Sequence, residues 1–243
     1  MSYNVHRAIG VDRRFRPDRV ARIIEHHDPD VLLLQEVDEG APRSGEMDLA
    51  RELASELGYT HYAVGHNVKL RRGRYGNATL SRYPIVRERN IDLSVDLRKR
   101  RGCQHTTLQI ESNGVDAREL EIFNLHLGLS ARERARQVGK LVRSDEFAEL
   151  DSQRCCLVGG DFNDWRSLLH PIFTEVLSFG CATQREFDDA TAIRTYPSFS
   201  PTGGLDRIYH RGPLRLVRAR RCRLRMSRVA SDHLPVIADF TLY

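Results

Sequence analysis

Leu157-Val158-Gly159-Gly160-Asp161-Phe162-Asn163-Asp164 runs from an apolar segment straight into a polar exit. Cys155 to Val158 is a short apolar run of the kind that forms a strand buried on both faces. Two glycines follow, and they let the backbone turn sharply or approach another group closely. A carboxylate, an aromatic ring and a carboxamide come next, with Asp161 and Asn163 two positions apart. If strand geometry continues that far, both side chains project to the same side. Gly, Asp and Asn also favour ordinary turns, so taken alone the stretch reads as a turn before it reads as a site. Partners elsewhere in the chain decide between the two.

A chain of 243 residues is long enough for one domain over 1–243 with a substantial core. Hydrophobic residues at 40% and charged residues at 29% are the balance of a soluble globular protein. No apolar run has the length of a membrane span, and no charged-then-apolar leader opens the sequence. The expected compartment is the cytoplasm, with peripheral membrane attachment as the alternative, and the expected state is a monomer. Cys103, Cys155, Cys156, Cys181 and Cys222 form no CxxC pair and no even framework, so neither a zinc site nor disulfides are expected. The net charge of +5 comes almost wholly from arginine, lysine standing only at 69, 99 and 140. Basic residues cluster at 69–74, at 98–101 and between Arg215 and Arg228. Such patches suit phosphate-rich partners, either nucleic acid or anionic phospholipid headgroups, and equally suit solvated loops and strand faces.

Met1 to Val5 reads as the end of a strand, too short for a whole one. A start placed downstream of the natural beginning is the expectation there. Arg16-Pro17 opens a helix with the stripe Val20, Ile23, Ile24, ended by Asp28-Pro29. Val31–Leu34 is a buried strand with Gln35-Glu36 at its exit, and a second helix covers Met47–Leu57 with Gly58 as its stop. Strands follow at Thr60–Val64 and Ala78–Ser81 with a basic, mobile loop between them. His105–Ile110 and Leu120–Leu125 pair around a turn at Ser112-Asn113-Gly114. Ser130-Ala131-Arg132-Glu133 is a capping box that starts a long helix to about Leu150. Pro171–Leu177 is a shorter helix, and a polar loop spans Thr183–Gly204. Three strands close the chain at Leu205–Tyr209, Leu214–Met226 with a break allowed within it, and Leu234–Leu242. Many strands in mixed order with few helices fit two sheets packed face to face with helices outside.

The polar residues fall in a pattern. Asn4, Glu36, His126, Asp161 with Asn163, Asp206, and Asp232 with His233 each lie at or beside a strand end. Each alone has a plain structural reading as a cap, a turn residue or a satisfied core histidine. A buried convergence of acids needs a cation or a proton. An oxygen-rich set without cysteine suits a hard divalent ion, Mg²⁺ or Mn²⁺. Histidines beside such acids can act as a base or donate to a phosphate oxygen.

In order along the chain stand Tyr3-Asn4-Val5-His6, Leu34-Gln35-Glu36-Val37, Gly76-Asn77-Ala78-Thr79-Leu80-Ser81 and Asn124-Leu125-His126-Leu127. Gly160-Asp161-Phe162-Asn163, Leu205-Asp206-Arg207-Ile208 and Ser231-Asp232-His233-Leu234-Pro235 complete the set. Together they resemble a small bacterial member of the endonuclease/exonuclease/phosphatase superfamily. That superfamily includes pancreatic deoxyribonuclease, abasic-site endonucleases, neutral sphingomyelinases and inositol polyphosphate 5-phosphatases. Each motif alone is weak; seven in the right order, from position 3 to 242, are specific. The resemblance implies a deoxyribonuclease I-like fold, a four-layer α/β sandwich of two mixed sheets packed face to face with helices on both outer sides.

The resemblance also implies roles. Glu36 is expected to bind the divalent metal, with Asn4 alongside and Asp232 nearby. His233 is expected to act as a base toward water or to hold the scissile phosphate, with Asp206 orienting it. Asp161 is expected to position or deprotonate the water, Asn163 to donate to a phosphoryl oxygen, and His126 to bind the phosphate. Asn77, Arg101 and Trp165 are expected along the substrate-phosphate groove. His6 and His126 stand where abasic-site enzymes carry an aspartate and a tyrosine, so that subgroup fits poorly. The expected activity is metal-dependent hydrolysis of a phosphodiester, as a nuclease or phosphodiesterase. The alternatives are a phospholipid or inositol-phosphate phosphoesterase at anionic membranes, and a catalytically silent binding module.

Overall fold

Local sequence dictates most of the elements in the computed structural model, which describes residues 1–112, 115–151, 153–185 and 188–243. The chain opens with β1 (Ser2–Asn4) and a short turn of 3-10 type at His6–Ala8. Helix α1 (Pro17–His27) starts on proline and buries Val20, Ala21, Ile23 and Ile24. Strand β2 (Val31–Glu39) leads to α2 (Leu49–Leu57), capped by the Asp48 side chain at one end and by left-handed Gly58 at the other. Then come β3 (His61–Lys69), β4 (Arg74–Ser81), β5 (Ile85–Asp92), β6 (Gly102–Ser112) and β7 (Val115–His126). Helices α3 (Ala131–Val142) and α4 (Asp145–Ala148) precede β8 (Cys155–Asp161). The remainder is β9 (Gly180–Cys181), β10 (Gln184–Arg185), β11 (Asp188–Ala192), β12 (Asp206–Arg211), β13 (Leu214–Arg221), α5 (Ser227–Ala230) and β14 (Val236–Leu242).

Two six-stranded mixed sheets result, ordered β13-β14-β1-β2-β4-β3 and β5-β6-β7-β8-β12-β9. The pairs β1–β2 and β7–β8 are parallel, and the other pairings are antiparallel. The sheets pack face to face through β1, β2 and β4 on one side and β7, β8 and β12 on the other. Leu33, Leu108, Leu120, Ile122, Ile208 and Val236 lie in apolar clusters between them. Helices α1 and α2 cover the outer face of the first sheet through Ile23, Ile24, Leu49 and Leu53. Helix α3, with Phe162, Phe173 and Tyr209, covers the second. The expected four-layer sandwich is the observed architecture.

Polar rungs cross between the sheets. Asn124 of β7 donates to the carbonyls of Leu34 (3.1 Å) and Ala78 (2.9 Å) and accepts from Gln35 Nε2 at 2.8 Å. Asn77 donates to the carbonyls of Gly102 (3.2 Å) and Asn124 (3.0 Å), and Thr79 donates to Gln104 at 2.8 Å.

Several expected boundaries differ. Strand β2 continues past Leu34 to Glu39, because Gln35 and Glu36 form a bulge opposite Asn77 alone; the register steps from Leu34↔Ala78 to Val37↔Gly76. The basic stretch expected as a loop at 65–77 is mostly the paired strands β3 and β4. Glu39 faces Arg74 at 2.7 Å and His66 at 2.6 Å there, and Glu46 pairs with Arg72. The long helix stops at Val142 rather than near Leu150. Ser144 turns the backbone to an extended conformation and its hydroxyl donates to the Leu141 carbonyl at 2.7 Å. Residues Ile172–Val176 form a wide π-type turn where an ordinary helix was expected. The polar stretch 183–204 contains the β10–β11 pair, and β13 ends at Arg221 before α5 instead of reaching Met226. Positions 113 and 114 of the expected Ser112-Asn113-Gly114 turn lie outside the described residues.

One buried ion network away from the strand ends yields a stability prediction. Glu121 accepts from His105 Nε2 (2.7 Å) and Thr107 Oγ1 (2.8 Å) and faces Arg154 at 3.3 Å. Burial pushes its carboxyl upward, but these partners outweigh burial and hold it below the ordinary carboxylate range. A depressed folded-state pKa gives stability that is complete above the unfolded value and lost as pH falls through the folded one. Glu121→Gln is expected to cost about 1–2 kcal/mol at pH 7, roughly 2–8 °C in Tm. Thermal melts from pH 7 down to 3 should show the gap to wild type narrowing as the pH falls; a gap that widens would contradict the assignment.

Candidate active site

The site is assembled at one rim where strands of both sheets end. Asp206, Asp161 and His126 stand in register across β12, β8 and β7. Asn4 ends β1 beside Gln35 and the Glu36 bulge of β2. Asp232 and His233 lie just before β14, separated from it by Leu234 and Pro235. Gly160 makes the close approach possible. At φ +140° a side chain there is strained, and a Cβ would lie 1.9 Å from the Leu125 carbonyl oxygen of the neighbouring strand.

Asp161 Oδ2 is the hub. It accepts from Asn4 Nδ2 at 3.0 Å and lies 3.4 Å from His126 Nε2 and 3.7 Å from His233 Nε2. Its other oxygen accepts the backbone N–H of Asn163 at 2.9 Å, closing an Asx turn with Asn163 at φ +51°. The expected turn at Asp161-Phe162-Asn163 is present, and Asn163 does not continue the strand. Its Nδ2 donates to the Leu127 carbonyl at 3.0 Å and keeps one further hydrogen. His233 Nδ1 contacts Asp206 Oδ2 at 2.9 Å, and Thr195 Oγ1 donates to the same oxygen. Ser231 Oγ donates to the Asn4 carbonyl (2.7 Å) and accepts from the His233 backbone N–H (3.2 Å), tying the strand ends together.

Two carboxylates opposite each other on adjacent strands need a cation between them. His233 is that cation: burial disfavours its charge, but Asp206, Asp161 and Asp232 overcome burial and raise its pKa to about 10. Asp161 is pushed up to about 6 by burial and by Asp206, against the opposing pull of His233. Burial, with Arg101 and His233 nearby, holds His126 well below the ordinary histidine range, so it is the neutral imidazole of the pair.

Glu36 sits in the bulge at φ +56°, half-buried, and its Oε2 is shielded from solvent without a hydrogen bond. Arg7 faces it at 3.5 Å from the left-handed turn His6-Arg7-Ala8. Asp232 Oδ1 lies 4.0 Å from His6 Nδ1. A shielded carboxylate oxygen whose partner is the Arg7 guanidinium at 3.5 Å is a donor of the type that a hard divalent ion takes. Asp161, Asp206 and His233 bring ligand atoms within 4.8 Å of one another, a group that could itself hold a metal ion.

The expected groove residues divide. Asn77 is a buried rung whose amide hydrogens go to Gly102 and Asn124. Trp165 is 53% exposed and meets Tyr196 edge-on at 5.5 Å, while Tyr196 lies against His233 at 4.9 Å. Arg101 is buried and borders a recess that it shares with His126. Sequence reasoning gave no role to Arg7, Thr195 or Ser231, and offered Tyr196 only as a loop aromatic for stacking bases. Arg7 and Ser231 adjoin motif residues, which was a usable signal, whereas Thr195 and Tyr196 lie in a polar stretch without periodicity. Asp164, beside Trp165, is structural: it pairs with Arg134 at 3.2 Å and accepts the Leu169 N–H at 2.7 Å.

The model of the Endonuclease/Exonuclease/phosphatase family matches residues 1–233. The chain is 30% identical over 256 residues to the uncharacterized protein YbhP of Escherichia coli (strain K12), covering 100% of this chain and 95% of that protein. Among solved structures, a mannosyl-6-phosphatase of Bacteroides thetaiotaomicron VPI-5482 has a TM-score of 0.75 at 18% identity, over 99% of this chain and 98% of its own. TDP2 of D. rerio, complexed with single strand DNA product, has a TM-score of 0.74 at 15% identity, over 99% and 97%. These two likenesses are of fold. The chain belongs to the Endonuclease/Exonuclease/phosphatase family, whose members are generally metal-dependent phosphoesterases.

Proposed function

We propose that this protein hydrolyses a phosphodiester of nucleic acid by in-line attack of water, with Mg²⁺ or Mn²⁺ as cofactor. The observation that carries the reading is the convergence of Asn4, His126 and His233 on one oxygen of Asp161, with Asp206 behind His233. Glu36, Asn4 and Asp232 would hold the metal. When bound, it would supply positive charge to the phosphoryl oxygens and polarise the phosphorus.

The chain's own groups do the rest. Asp161 orients the attacking water and takes its proton. His233, fixed through Nδ1 by Asp206, presents its Nε2 proton to the charge that develops on the phosphoryl oxygens. Neutral His126 and the spare Asn163 N–H donate beside it. Water and phosphorus held in line at close range supply the orientational part of the rate. Basic residues at 98–101 and the aromatic pair Trp165–Tyr196 flank this rim and suit a polyanionic strand with stacking bases. A second reading, a phosphoesterase of anionic lipid headgroups, is favoured by one observation: Leu97 projects fully exposed beside Arg98, Lys99 and Arg100. No helix among the described residues is long and apolar enough to cross a membrane.

Plasmid, single-stranded DNA, RNA, anionic phospholipid vesicles and bis(4-nitrophenyl) phosphate, each with Mg²⁺ and with EDTA, form the test. Hydrolysis of nucleic acid with Mg²⁺, absent with EDTA and falling steeply with added salt, is the expected result. Turnover of vesicles with plasmid left intact selects the lipid reading. No turnover of any substrate with Mg²⁺ or Mn²⁺ would leave a binding module.

A further inference from the structure

The fold treats the three basic clusters of the chain differently. At 69–74, Arg72 pairs with Glu46, and Arg74 pairs with Glu39 at 2.7 Å. At 98–101, Arg98 faces Glu133 at 3.3 Å and Arg100 faces Asp92 at 3.9 Å. The third cluster holds seven arginines and no acid between Leu214 and Ser231. Of these, Arg220 meets Asp239 at 2.6 Å, and Arg221 donates to the Arg194 carbonyl at 2.8 Å. Arg215, Arg218, Arg223, Arg225 and Arg228 are exposed, and among the described residues no carboxylate lies within ion-pair distance of any of the five.

Packing of the apolar neighbours turns these arginines outward. Leu214 and Leu216 lie opposite Leu242 and Phe240, in apolar clusters between the sheets, whereas Arg215 and Arg218 lie opposite Thr241 and Asp239. Beyond the strand, Cys222, Leu224 and Met226 pack into the cluster that holds α1, alternating with exposed Arg223 and Arg225. Strand β13 ends its sheet, so one of its edges has no neighbouring strand. From Arg215 to Arg221 it spans about 20 Å at roughly 3.3 Å per residue. At its other end the row reaches the catalytic rim: Ser198 Oγ donates to the Arg228 carbonyl at 3.0 Å, and the Ser198 N–H donates to the Asp232 carbonyl at 2.7 Å. Charges on an edge strand discourage edge-to-edge association, but that leaves Arg223, Arg225 and Arg228, past the strand, without a reason.

We propose that this arginine row is a docking surface for the phosphate backbone of nucleic acid, running along the outer edge of the first sheet and outside the hydrolytic rim. A line of unpaired guanidinium groups suits a linear polyanion, and about 20 Å matches about six phosphates of one strand at 3.4 Å spacing. Each guanidinium fork takes phosphate oxygens through paired charge-assisted hydrogen bonds. A membrane surface favours large apolar side chains beside the cations; between Leu214 and Ser231 the exposed ones are Val217 and Val229, with no aromatic. Backbone contacts of this kind hold a strand in place and read no sequence. That the docked strand is also the substrate rests on the nucleic-acid reading; the docking itself does not.

The test measures fluorescence anisotropy of a labelled single-stranded DNA of about 20 nucleotides, long enough to cover the row and the rim, with the full chain in EDTA at several salt concentrations. Wild type is compared with a quadruple variant, Arg215→Gln, Arg218→Gln, Arg223→Gln and Arg225→Gln. A control of equal charge carries Arg51→Gln, Arg87→Gln, Arg89→Gln and Arg143→Gln, exposed arginines on other faces. The row variant should bind at least about 10-fold more weakly than wild type and the control, and its slope of log affinity against log salt should flatten by about 3, at roughly 0.7 per phosphate contact. Should the edge strand associate once its charges are gone, Arg223→Gln with Arg225→Gln, outside the strand, carries the test with a slope change of about 1.4. An affinity and slope equal to the control's overturn the proposal, as does wild type that fails to bind the oligonucleotide. Anionic vesicles of phosphatidylserine and phosphatidylcholine form the second arm: vesicle binding lost in the row variant with oligonucleotide binding intact overturns the choice of nucleic acid. Row-dependent oligonucleotide binding by a protein that hydrolyses nothing would sink the hydrolytic reading and leave the docking surface standing.

Discussion

His233→Gln is expected to lower kcat/KM for phosphoester hydrolysis by at least about 10³-fold, with a folded protein remaining. The loss follows from position. His233 is pinned by Asp206 at 2.9 Å on Nδ1 and by Ser231 on its backbone N–H, so its Nε2 can point only toward the Asp161 side. Glutamine can still donate to Asp206, but it carries no charge and reaches no second acceptor in the same line. The two facing carboxylates Asp161 and Asp206 then lose the cation between them. Asp206→Asn serves as the companion. It should keep the fold and lose a large part of the rate by freeing the imidazole, as the loss of an orienting carboxylate does in other hydrolases. Steady-state kinetics with Mg²⁺, alongside circular dichroism of each variant, provides the check. Turnover by His233→Gln within tenfold of wild type would remove His233 from the reaction.

Asn124→Leu is expected to cost about 3–5 kcal/mol, or roughly 6–20 °C in Tm. Asn124 is fully buried and bridges the sheets: it satisfies the carbonyls of Leu34 and Ala78 and accepts from Gln35. The bulge at Gln35–Glu36 interrupts regular pairing between β2 and β4 at this point, and the Asn124 amide fills part of the gap. Leucine would remove the donors to the Leu34 and Ala78 carbonyls and one acceptor of the Gln35 amide, which keeps the Leu33 carbonyl at 3.1 Å; the unmade bonds cost more than the added apolar surface returns. Because Gln35 precedes Glu36, the same variant should disturb the Gln35–Glu36 bulge. Differential scanning calorimetry reads the stability; a shift of less than about 2 °C would show that water or a rearranged Gln35 replaces the rung.

The two sheets were legible in the sequence because their central strands are uninterrupted apolar runs. Val31–Leu34 and Cys155–Val158 bury both faces and admit few alternatives. The capping box at Ser130 and the Pro17 helix start were equally plain. The site residues were visible as polar positions at apolar strand ends, and the structure brings Asn4, His126, Asp161, Asn163, Asp206 and His233 to one rim.

What escaped was decided by contacts distant in sequence. Glu36 reads as the end of a strand until β4 shows that it occupies a bulge. The hairpin 61–81 carries too many charged and polar side chains to alternate cleanly, and acids distant in sequence, Glu39 and Glu46, pair with its Arg74, His66 and Arg72. Thr195 and Tyr196 matter through Asp206 and His233, from a stretch with no period of its own. Asn77 reads as a groove residue from its motif, yet both of its amide hydrogens turn inward to backbone carbonyls.

The central claim is that the rim formed by Asn4, Glu36, His126, Asp161, Asp206 and His233 hydrolyses phosphoesters with a divalent ion held through Glu36. The most direct measurement is the initial rate of bis(4-nitrophenyl) phosphate hydrolysis by wild type and Glu36→Gln across a Mg²⁺ titration that begins in EDTA. The predicted result is no wild-type turnover in EDTA, a saturable rise with Mg²⁺, and a loss in Glu36→Gln of at least about 10²-fold at every concentration. Turnover that persists in EDTA, or a Glu36→Gln curve that overlays wild type, would contradict it.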